Sequence, residues 1–371
     1  MKIRIGLIIL IALFIGACGS KQDTSKENAN KTINKQSTAS GSTKEYKINT
    51  IAFYNMENLF DTISDPNKND EASPIMEMAP SERAIVYPKK VANKAKVLAD
   101  IGTDFTGYPP ALIGVCEIEN YQVLEDVVNH PRLNAYNYGI IHYESPDLRS
   151  IDVALLYRKD VFKPLYSAPH EVILFRDGDR TKRRYTRDVL YVKGLLDGEE
   201  IHFLVNHWPS RSGGEEKSRP NRVKAAEVAK GVIDSVQKVE PNAKIILMGD
   251  LNDGTYNESV KVALGAKEKR EELEIPFGIY NPFEKIFKAG VGTIAWRDSW
   301  DLFDQIMVTQ PLTEKDFSTW RFYQAGVFNP PYLRNPRGRY KGYPFRSFVG
   351  STFTGGYSDH FPVYIYLIKE L

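Results

Sequence analysis

Residues 243–253 read AKIILMGDLND, an apolar run that ends in Asp250 and Asn252. The run has the length and composition of a buried β-strand. Other apolar runs also border carboxylate, amide or imidazole side chains: Asn55, Glu117, His207, and the pair Asp359 and His360. Because strand ends that meet at one edge of a sheet can gather a site from distant parts of a chain, the pattern predicts an α/β fold with a polar site at that edge.

Further strands and helices are predicted on both sides of this run. The apolar runs predict strands at residues 47–54, 111–116, 151–157, 189–193, 201–206, 243–249, 302–308 and 361–367. Apolar residues at helical spacing predict helices at residues 87–100 and 219–238. The sequence of residues 46–371 has no internal repeat and no second linker, so we expect one catalytic region there.

The overall composition is that of a globular protein. Of the 371 residues, 42% are apolar and 26% are charged, which excludes a disordered, collagen-like or disulfide-framework protein. The net charge is +2, and the loss of Lys2 and Arg4 with a signal peptide would cancel it. Any surface that binds polyanions must therefore be local.

The N-terminus has the pattern of an export signal. In residues 1–17, two positive charges precede a 13-residue apolar run, which is shorter than the ~20 residues of a transmembrane helix and typical of a signal peptide. The small residues before Cys18 resemble the bacterial lipobox. We therefore expect an acylated Cys18 to anchor the protein in the cell envelope, facing the periplasm or the exterior. Gly19 after the cysteine favours the outer membrane.

Residues 18–45 contain no aromatic residue and are dominated by Ser, Thr, Asn and Lys. Such a segment buries too little apolar area to fold, so we expect a flexible linker after the lipidated cysteine. The second cysteine, Cys116, lies in an apolar run and has no remaining partner for a disulfide, so burial is its expected state.

The side chains at the predicted strand ends are mostly oxygen donors, and the sequence has no thiolate cluster. Oxygen-rich sets suit a hard divalent cation such as Mg²⁺ or Mn²⁺, whereas Zn²⁺ sites more often contain cysteine or closely spaced histidines. Walker, GxGxxG and GxSxG motifs are also missing from the sequence. A hard cation with an acid–base pair fits phosphoester hydrolysis.

Six sequence blocks follow one another along the chain: FYNMENLF (53–60), GVCE (114–117), NHWPSR (206–211), GDLND (249–253), FDQI (303–306) and SDHFPV (358–363). Together they resemble the endonuclease/exonuclease/phosphatase superfamily, which includes DNase I, exonuclease III, inositol-polyphosphate phosphatases and neutral sphingomyelinases. The resemblance spans residues 51–364. It implies a four-layer α/β sandwich, in which two packed mixed β-sheets lie between outer helices and the site lies at one end of the sheets.

The resemblance also implies roles for residues on the metal side of the site. Asn55 and Glu117 would hold the metal, Glu117 directly, and Asp359 would lie beside it. Asp250 would orient or deprotonate the attacking water, and Asn252 would donate a hydrogen bond to the phosphate.

Two histidines complete the implied site. His360 would contact the phosphoryl group or act as the base, and Asp304 would orient it by accepting its ring N–H. His207 would be the acid for the leaving group. Models of the superfamily differ on which histidine is acid and which is base, so both assignments stay open.

Basic residues near these blocks are candidates for substrate binding. Arg149 is a candidate phosphate contact, with a surface salt bridge as the alternative. Arg211 and Arg222 flank a glycine-rich loop and could hold phosphate through paired N–H groups, or could pack the loop. Residues 176–187 carry six positive charges and two acids. Residues 317–358 carry six positive charges, no acid and twelve aromatic residues, and we favour a substrate-side role for this second stretch.

The combined expectation is an envelope-anchored, Mg²⁺- or Mn²⁺-dependent phosphodiesterase, with nucleic acid as the leading substrate and an endonuclease as the leading type. One alternative is a phosphomonoesterase, or a phospholipid or sphingomyelin-type phosphodiesterase, of the same fold. A second is a non-catalytic surface lipoprotein that binds polyanions. The N-terminal lipid implies contact with a membrane. No protein partner is implied.

Overall fold

The computed structural model describes residues 44–70, 73–176 and 178–371. The predicted signal peptide, Cys18 and nearly all of the predicted linker lie outside these residues, so lipidation and anchoring stay predictions. Within the described ranges, no helix is both long enough and apolar enough to cross a bilayer.

The described residues form two large sheets with helices between the strands. The strands are β1 (Tyr46–Leu59), β2 (Leu112–Ile118), β3 (Tyr138–His142), β4 (Asp152–Arg158), β5 (Phe162–His170), β6 (Leu174–Arg176), β7 (Asp179–Arg184), β8 (Val189–Leu196), β9 (Glu199–His207), β10 (Ile245–Asp250), β11 (Ile279–Tyr280), β12 (Ile294–Trp296), β13 (Ser299–Asp301), β14 (Asp304–Thr309), β15 (Arg321–Val327), β16 (Phe348–Val349), β17 (Thr352–Phe353) and β18 (Val363–Glu370). The α-helices are α1 (Pro80–Asp100), α2 (Thr103–Thr106), α3 (Tyr121–Val128), α4 (Glu215–Val239) and α5 (Phe283–Lys288).

Sheet A has the strand order β15-β18-β1-β2-β4-β3, and sheet B has the order β11-β14-β10-β9-β8-β5. Each sheet contains one parallel pair, β1 with β2 in sheet A and β9 with β10 in sheet B, among antiparallel neighbours. Three hairpins, β6–β7, β12–β13 and β16–β17, form small separate sheets.

The two sheets pack face to face around a shared apolar core. Phe53 and Leu112 of sheet A meet Phe203 and Met248 of sheet B, and all four are fully buried. The outer face of sheet A is covered by α1 and α3, and the outer face of sheet B by α4. This arrangement confirms the expected four-layer α/β sandwich. It also explains the continuous apolar runs, because central strands are buried on both faces.

Every predicted strand and helix is present, with shifted ends. Helix α1 begins seven residues before its predicted start, at Pro80, a residue type favoured in the first helical turn. Strand β5 was not predicted, because Pro164 and Pro169 interrupt its pattern. It lies at the edge of sheet B, where a missing N–H is tolerated.

The parallel pairs bring the predicted site residues to one end of the sandwich. In sheet B the register places Asp250 beside His207 on one neighbour and beside Asp304 on the other. In sheet A, Asn55 pairs with Cys116, immediately before Glu117. Because parallel strands end at the same edge, side chains separated by tens of residues in sequence converge there.

Candidate active site

A buried carboxylate–imidazole chain forms the centre of the site. The Nδ1 atom of His360 lies 2.7 Å from Oδ2 of Asp304, and its Nε2 atom lies 3.9 Å from Oδ2 of Asp250. The backbone N–H of His360 donates to Ser358 Oγ, which in turn donates to the Asn55 carbonyl. Asp304 thus fixes one side of the His360 ring and Ser358 fixes its backbone, while Nε2 is directed toward Asp250.

The electrostatic surroundings of His360 favour its charged form. Burial alone would lower the pKa of the imidazole, but the carboxylates of Asp304 and Asp250 outweigh burial and hold the His360 pKa well above its usual 6.5. Burial also raises the pKa of Asp250 to about 7, and the Asp304 and Glu117 carboxylates act in the same direction. The pKa values of both groups are thus strongly shifted, as is common for side chains at functional sites.

The second predicted histidine approaches the same carboxylate from the other side. The Nε2 atom of His207 lies 3.7 Å from Oδ2 of Asp250 and 3.8 Å from Oε1 of Glu117. Burial, followed by the charges of Arg187 and Arg149, holds the His207 pKa well below 6.5. To act as the acid for the leaving group, His207 must be protonated. The negative charge of a bound phosphate would favour this protonated form.

The oxygen donors at this end fit a hard divalent cation. Glu117 accepts a hydrogen bond from the Asn58 backbone at Oε2, whereas its Oε1 accepts none from the residues that the structure describes. Asp304 Oδ1 is buried and likewise has no partner among the described residues. Asn55 donates to Asp250 through Nδ2, which places its amide next to the carboxylates. Oxygen atoms from carboxylates and an amide are the ligands that Mg²⁺ and Mn²⁺ prefer.

Two predicted residues lie beside this cluster with their side chains engaged. Asn252 donates from Nδ2 to the Trp208 carbonyl, and its backbone N–H donates to Asp250 Oδ1, which fixes the turn after β10. Asp359 pairs with Arg346 at 3.2 Å. Asp359 thus lies beside the site, held by a guanidinium, and its contact with a metal stays a prediction.

The three candidate arginines differ in what they contact. Arg149 is exposed and pairs with Asp147, and its charge reaches His207. Arg211 donates to the Asn252 carbonyl and stacks 4.5 Å above the Phe303 ring, so it braces the turn after β10. The structure therefore shows the salt bridge that was the alternative for Arg149, whose contact with phosphate stays a prediction, and gives Arg211 a packing role.

Arg222 was predicted to bind substrate, and this prediction is wrong. Its side chain is 0% exposed, and its Nε atom lies 2.6 Å from the equally buried Asp253. The residue lies three and four positions before Ala225 and Ala226, on the buried stripe of α4. Its helical position therefore points it into the protein and away from solvent.

Sequence reasoning missed Arg187, a positioning residue behind His207. Its guanidinium donates to the His207 and Trp208 carbonyls and to Asp147, all as a buried group. The only signal in the sequence was its place at the end of the basic stretch 176–187.

A second charged cluster, also missed, borders the site on the sheet A side. Glu57 accepts from the Ser347 backbone and pairs with Arg346. Lys90 and Lys94, both fully buried, lie close by, and burial lowers their pKa values to about 8 and about 7. This cluster fixes the segment that follows Asn55.

Comparisons with known proteins agree with this architecture. The family model described as "Endonuclease/Exonuclease/phosphatase family" matches residues 50–369. A search among curated proteins gave no match.

Solved structures show the same fold. A family protein from Bacteroides thetaiotaomicron is 17% identical, with a TM-score of 0.52, over 89% of this chain and 98% of that one. A mannosyl-6-phosphatase from the same species is also 17% identical, with a TM-score of 0.52, over 86% and 98%. A humanized D. rerio TDP2 is 14% identical, with a TM-score of 0.50, over 86% and 98%. With the family model matched across the folded region and the carboxylates and histidines gathered at one end of the sandwich, this chain belongs to the endonuclease/exonuclease/phosphatase family of metal-dependent phosphoesterases.

Proposed function

We propose that the protein is a divalent-metal-dependent phosphodiesterase that cleaves nucleic acid as an endonuclease. The observation that carries this proposal is the position of one atom, Asp250 Oδ2. It lies 3.7 Å from His207 Nε2 and 3.9 Å from His360 Nε2, so a carboxylate and two imidazoles converge on one small volume beside Glu117. This is the arrangement that acid–base hydrolysis of a phosphoester requires.

Each residue of the centre has its own role in the proposed reaction. Glu117 and Asn55 would hold a Mg²⁺ or Mn²⁺ ion, which supplies charge neutralisation at the phosphoryl group. Asp250 orients a water molecule and accepts its proton. His360, held by Asp304, donates a hydrogen bond to a phosphoryl oxygen through Nε2, and His207 lies on the opposite side of Asp250.

We also propose that the protein works outside the cytoplasm, anchored by acyl chains on Cys18. The proposal rests on the signal-peptide pattern of residues 1–17 and on the linker-like composition of residues 19–45. Replacing Cys18 with Ser should move the protein from the membrane fraction to the soluble fraction. If the variant stays membrane-bound, the lipid anchor is wrong.

An activity panel tests the catalytic proposal. The full chain is assayed with Mg²⁺ on supercoiled plasmid, single-stranded DNA, RNA, sphingomyelin, inositol phosphates and a generic monoester, with Asp250→Asn as the matched inactive control. Nicking of plasmid that is lost in the control supports the endonuclease. Release of inorganic phosphate without nicking would instead make the protein a phosphomonoesterase, as the similar fold of the mannosyl-6-phosphatase allows.

A further inference from the structure

A large cavity opens beside the catalytic cluster. It has a volume of about 1380 Å³ and is lined by residues 147–149, by residues of the β6–β7 hairpin and its flanks, and by residues of the loop after His207 and the first turns of α4. Pockets for small molecules measure about 300–1,000 Å³, so this cavity, which we name the arginine groove, is larger than a small substrate requires.

The lining of the arginine groove is strongly cationic. The basic residues are Arg149, Arg176, Arg180, Arg184, Arg187, Lys217 and Lys224. Among the described lining residues, the acidic group is Asp147, and its carboxylate is already paired with Arg149 and Arg187. The groove therefore has a surplus of positive charge that an anion would neutralise.

Three of these arginines have no ion-pair partner among the residues that the structure describes. Within the described part of the chain, Arg176, Arg180 and Arg184 make no ion pair or side-chain hydrogen bond, although all three lie on the β6–β7 hairpin. On the same hairpin, Arg183 pairs with Glu171 at 2.5 Å. Side chains alternate along a strand, so Arg180 and Arg184 share one face of β7 and Arg183 points to the other.

The groove also exposes flat apolar surface between these charges. Tyr185 is 46% exposed and has the Arg183 guanidinium 5.7 Å from its ring centroid, and Ile173 and Leu148 are similarly open. Aromatic faces next to cationic side chains are how proteins hold nucleic-acid strands, because bases stack on the rings while arginines contact the phosphates.

The groove continues directly from the reaction centre. Pro209 and Ser210, which line it, follow His207 by two and three residues. Arg187, in its floor, donates to the His207 carbonyl. A chain with one phosphate between His207 and His360 would therefore place its neighbouring phosphates in the groove.

We propose that the arginine groove binds a nucleic-acid strand on one side of the cleaved phosphate, with Arg176, Arg180 and Arg184 contacting backbone phosphates and Tyr185 stacking on a base. This inference rests on the proposed nuclease function and adds its substrate-binding surface. Hydrolysis would still occur at the carboxylate–histidine centre.

Binding without catalysis tests the groove separately from the enzyme. A fluorescent 20-nucleotide DNA is titrated with the full chain in EDTA. The variant R176A/R180A/R184A should raise Kd by about tenfold or more and reduce the slope of log Kd against log salt by about 2, as expected for three lost phosphate contacts. The variant K163A/K238A/K285A, which removes the same charge from exposed positions elsewhere, should change Kd less than about threefold.

The outcomes separate the two proposals. If both variants weaken DNA binding equally, or neither does, the groove proposal is overturned. The same holds if the groove variant loses binding to vesicles of anionic lipid but keeps DNA binding. If DNA binds in the groove but is not cleaved with Mg²⁺, the nuclease proposal fails and the groove stands. If the wild type cleaves DNA and the groove variant keeps its KM, the groove fails and the nuclease stands.

Discussion

Two basic regions flank the catalytic centre, and they differ in what the charges nearest the site contact. On the β8 side, the arginine groove presents Arg176, Arg180 and Arg184 without partners among the described residues. On the β18 side, the β15–β18 loop (residues 328–357) has its arginine nearest the site, Arg346, paired with Glu57 and Asp359.

The aromatic residues differ less, since Tyr340 of the loop is 53% exposed and Tyr185 of the groove is 46% exposed. In the β15–β18 loop they pack on one another, with ring centroids 5.2 Å apart for Tyr332 and Tyr357, and Asn93 donates to the loop backbone. In the groove, Tyr185 stays open to solvent. Composition alone favoured the loop as the substrate surface, whereas the contacts favour the groove. The loop also carries Arg337, Arg339 and Lys341 without an ion pair among the described residues, so the two regions differ in the charge that lies nearest the site.

The largest effect should come from the arginine that lies beneath the groove. Arg222→Ala removes the nearer of the two guanidinium groups that pair with the buried Asp253 carboxylate and leaves Arg211 at 3.4 Å. The free energy of unfolding should therefore fall by about 3 kcal/mol. Urea denaturation measures this, with the more exposed Arg219→Ala as a control that should cost under about 1 kcal/mol. Weaker DNA binding by a variant of unchanged stability would show that Arg222 reaches substrate after all.

Both regions matter for function only if the centre between them is catalytic. Asp250→Asn and His360→Ala should each lower kcat on plasmid by ~10²-fold or more, because each removes an acid–base group. Thermal unfolding checks that the variants are folded. Activity within a factor of a few of wild type would remove these residues from the mechanism.

Charge reversal in each region tests which of the two regions binds DNA. R180E/R184E in the groove should raise KM for DNA by about tenfold or more, because two phosphate contacts become repulsive. R337E/R339E in the exposed turn of the loop should change KM less than about threefold. A larger effect from the loop variant would reverse the assignment.

The smallest loss of stability should come from Arg346 in the β15–β18 loop. Arg346→Ala removes a guanidinium from Glu57, a nearly buried carboxylate, but the arginine side chain is half exposed. Solvent screening limits the expected loss of stability to about 1 kcal/mol. Equilibrium unfolding tests this. A loss of DNA binding at unchanged stability would make Arg346 a substrate contact.

The fold was predictable because its signals are local. Apolar runs mark the central strands, and the polar residues that border them, such as Glu117, His207 and Asp250, occupy strand ends that the parallel pairs bring together. Strand β5 escaped prediction because two prolines break its pattern, although an edge strand tolerates them.

The site was less predictable than the fold, because which charged side chains form ion pairs depends on contacts between residues that are distant in sequence. Nothing near Asp359 in the sequence shows that Arg346 holds it. Arg222 could have been assigned to the core from its position on the buried stripe of α4. Arg187 could not, since its partners are backbone carbonyls after a different strand.

The account depends most on Glu117 as the residue that holds the metal at a phosphoester-cleaving site. The most direct measurement is a Mg²⁺ titration of plasmid nicking by the wild type and by Glu117→Gln. We predict that nicking requires the divalent ion and that the variant needs at least about tenfold more of it for half-maximal rate. Superimposable titration curves, or nicking by the wild type in EDTA, would contradict the account.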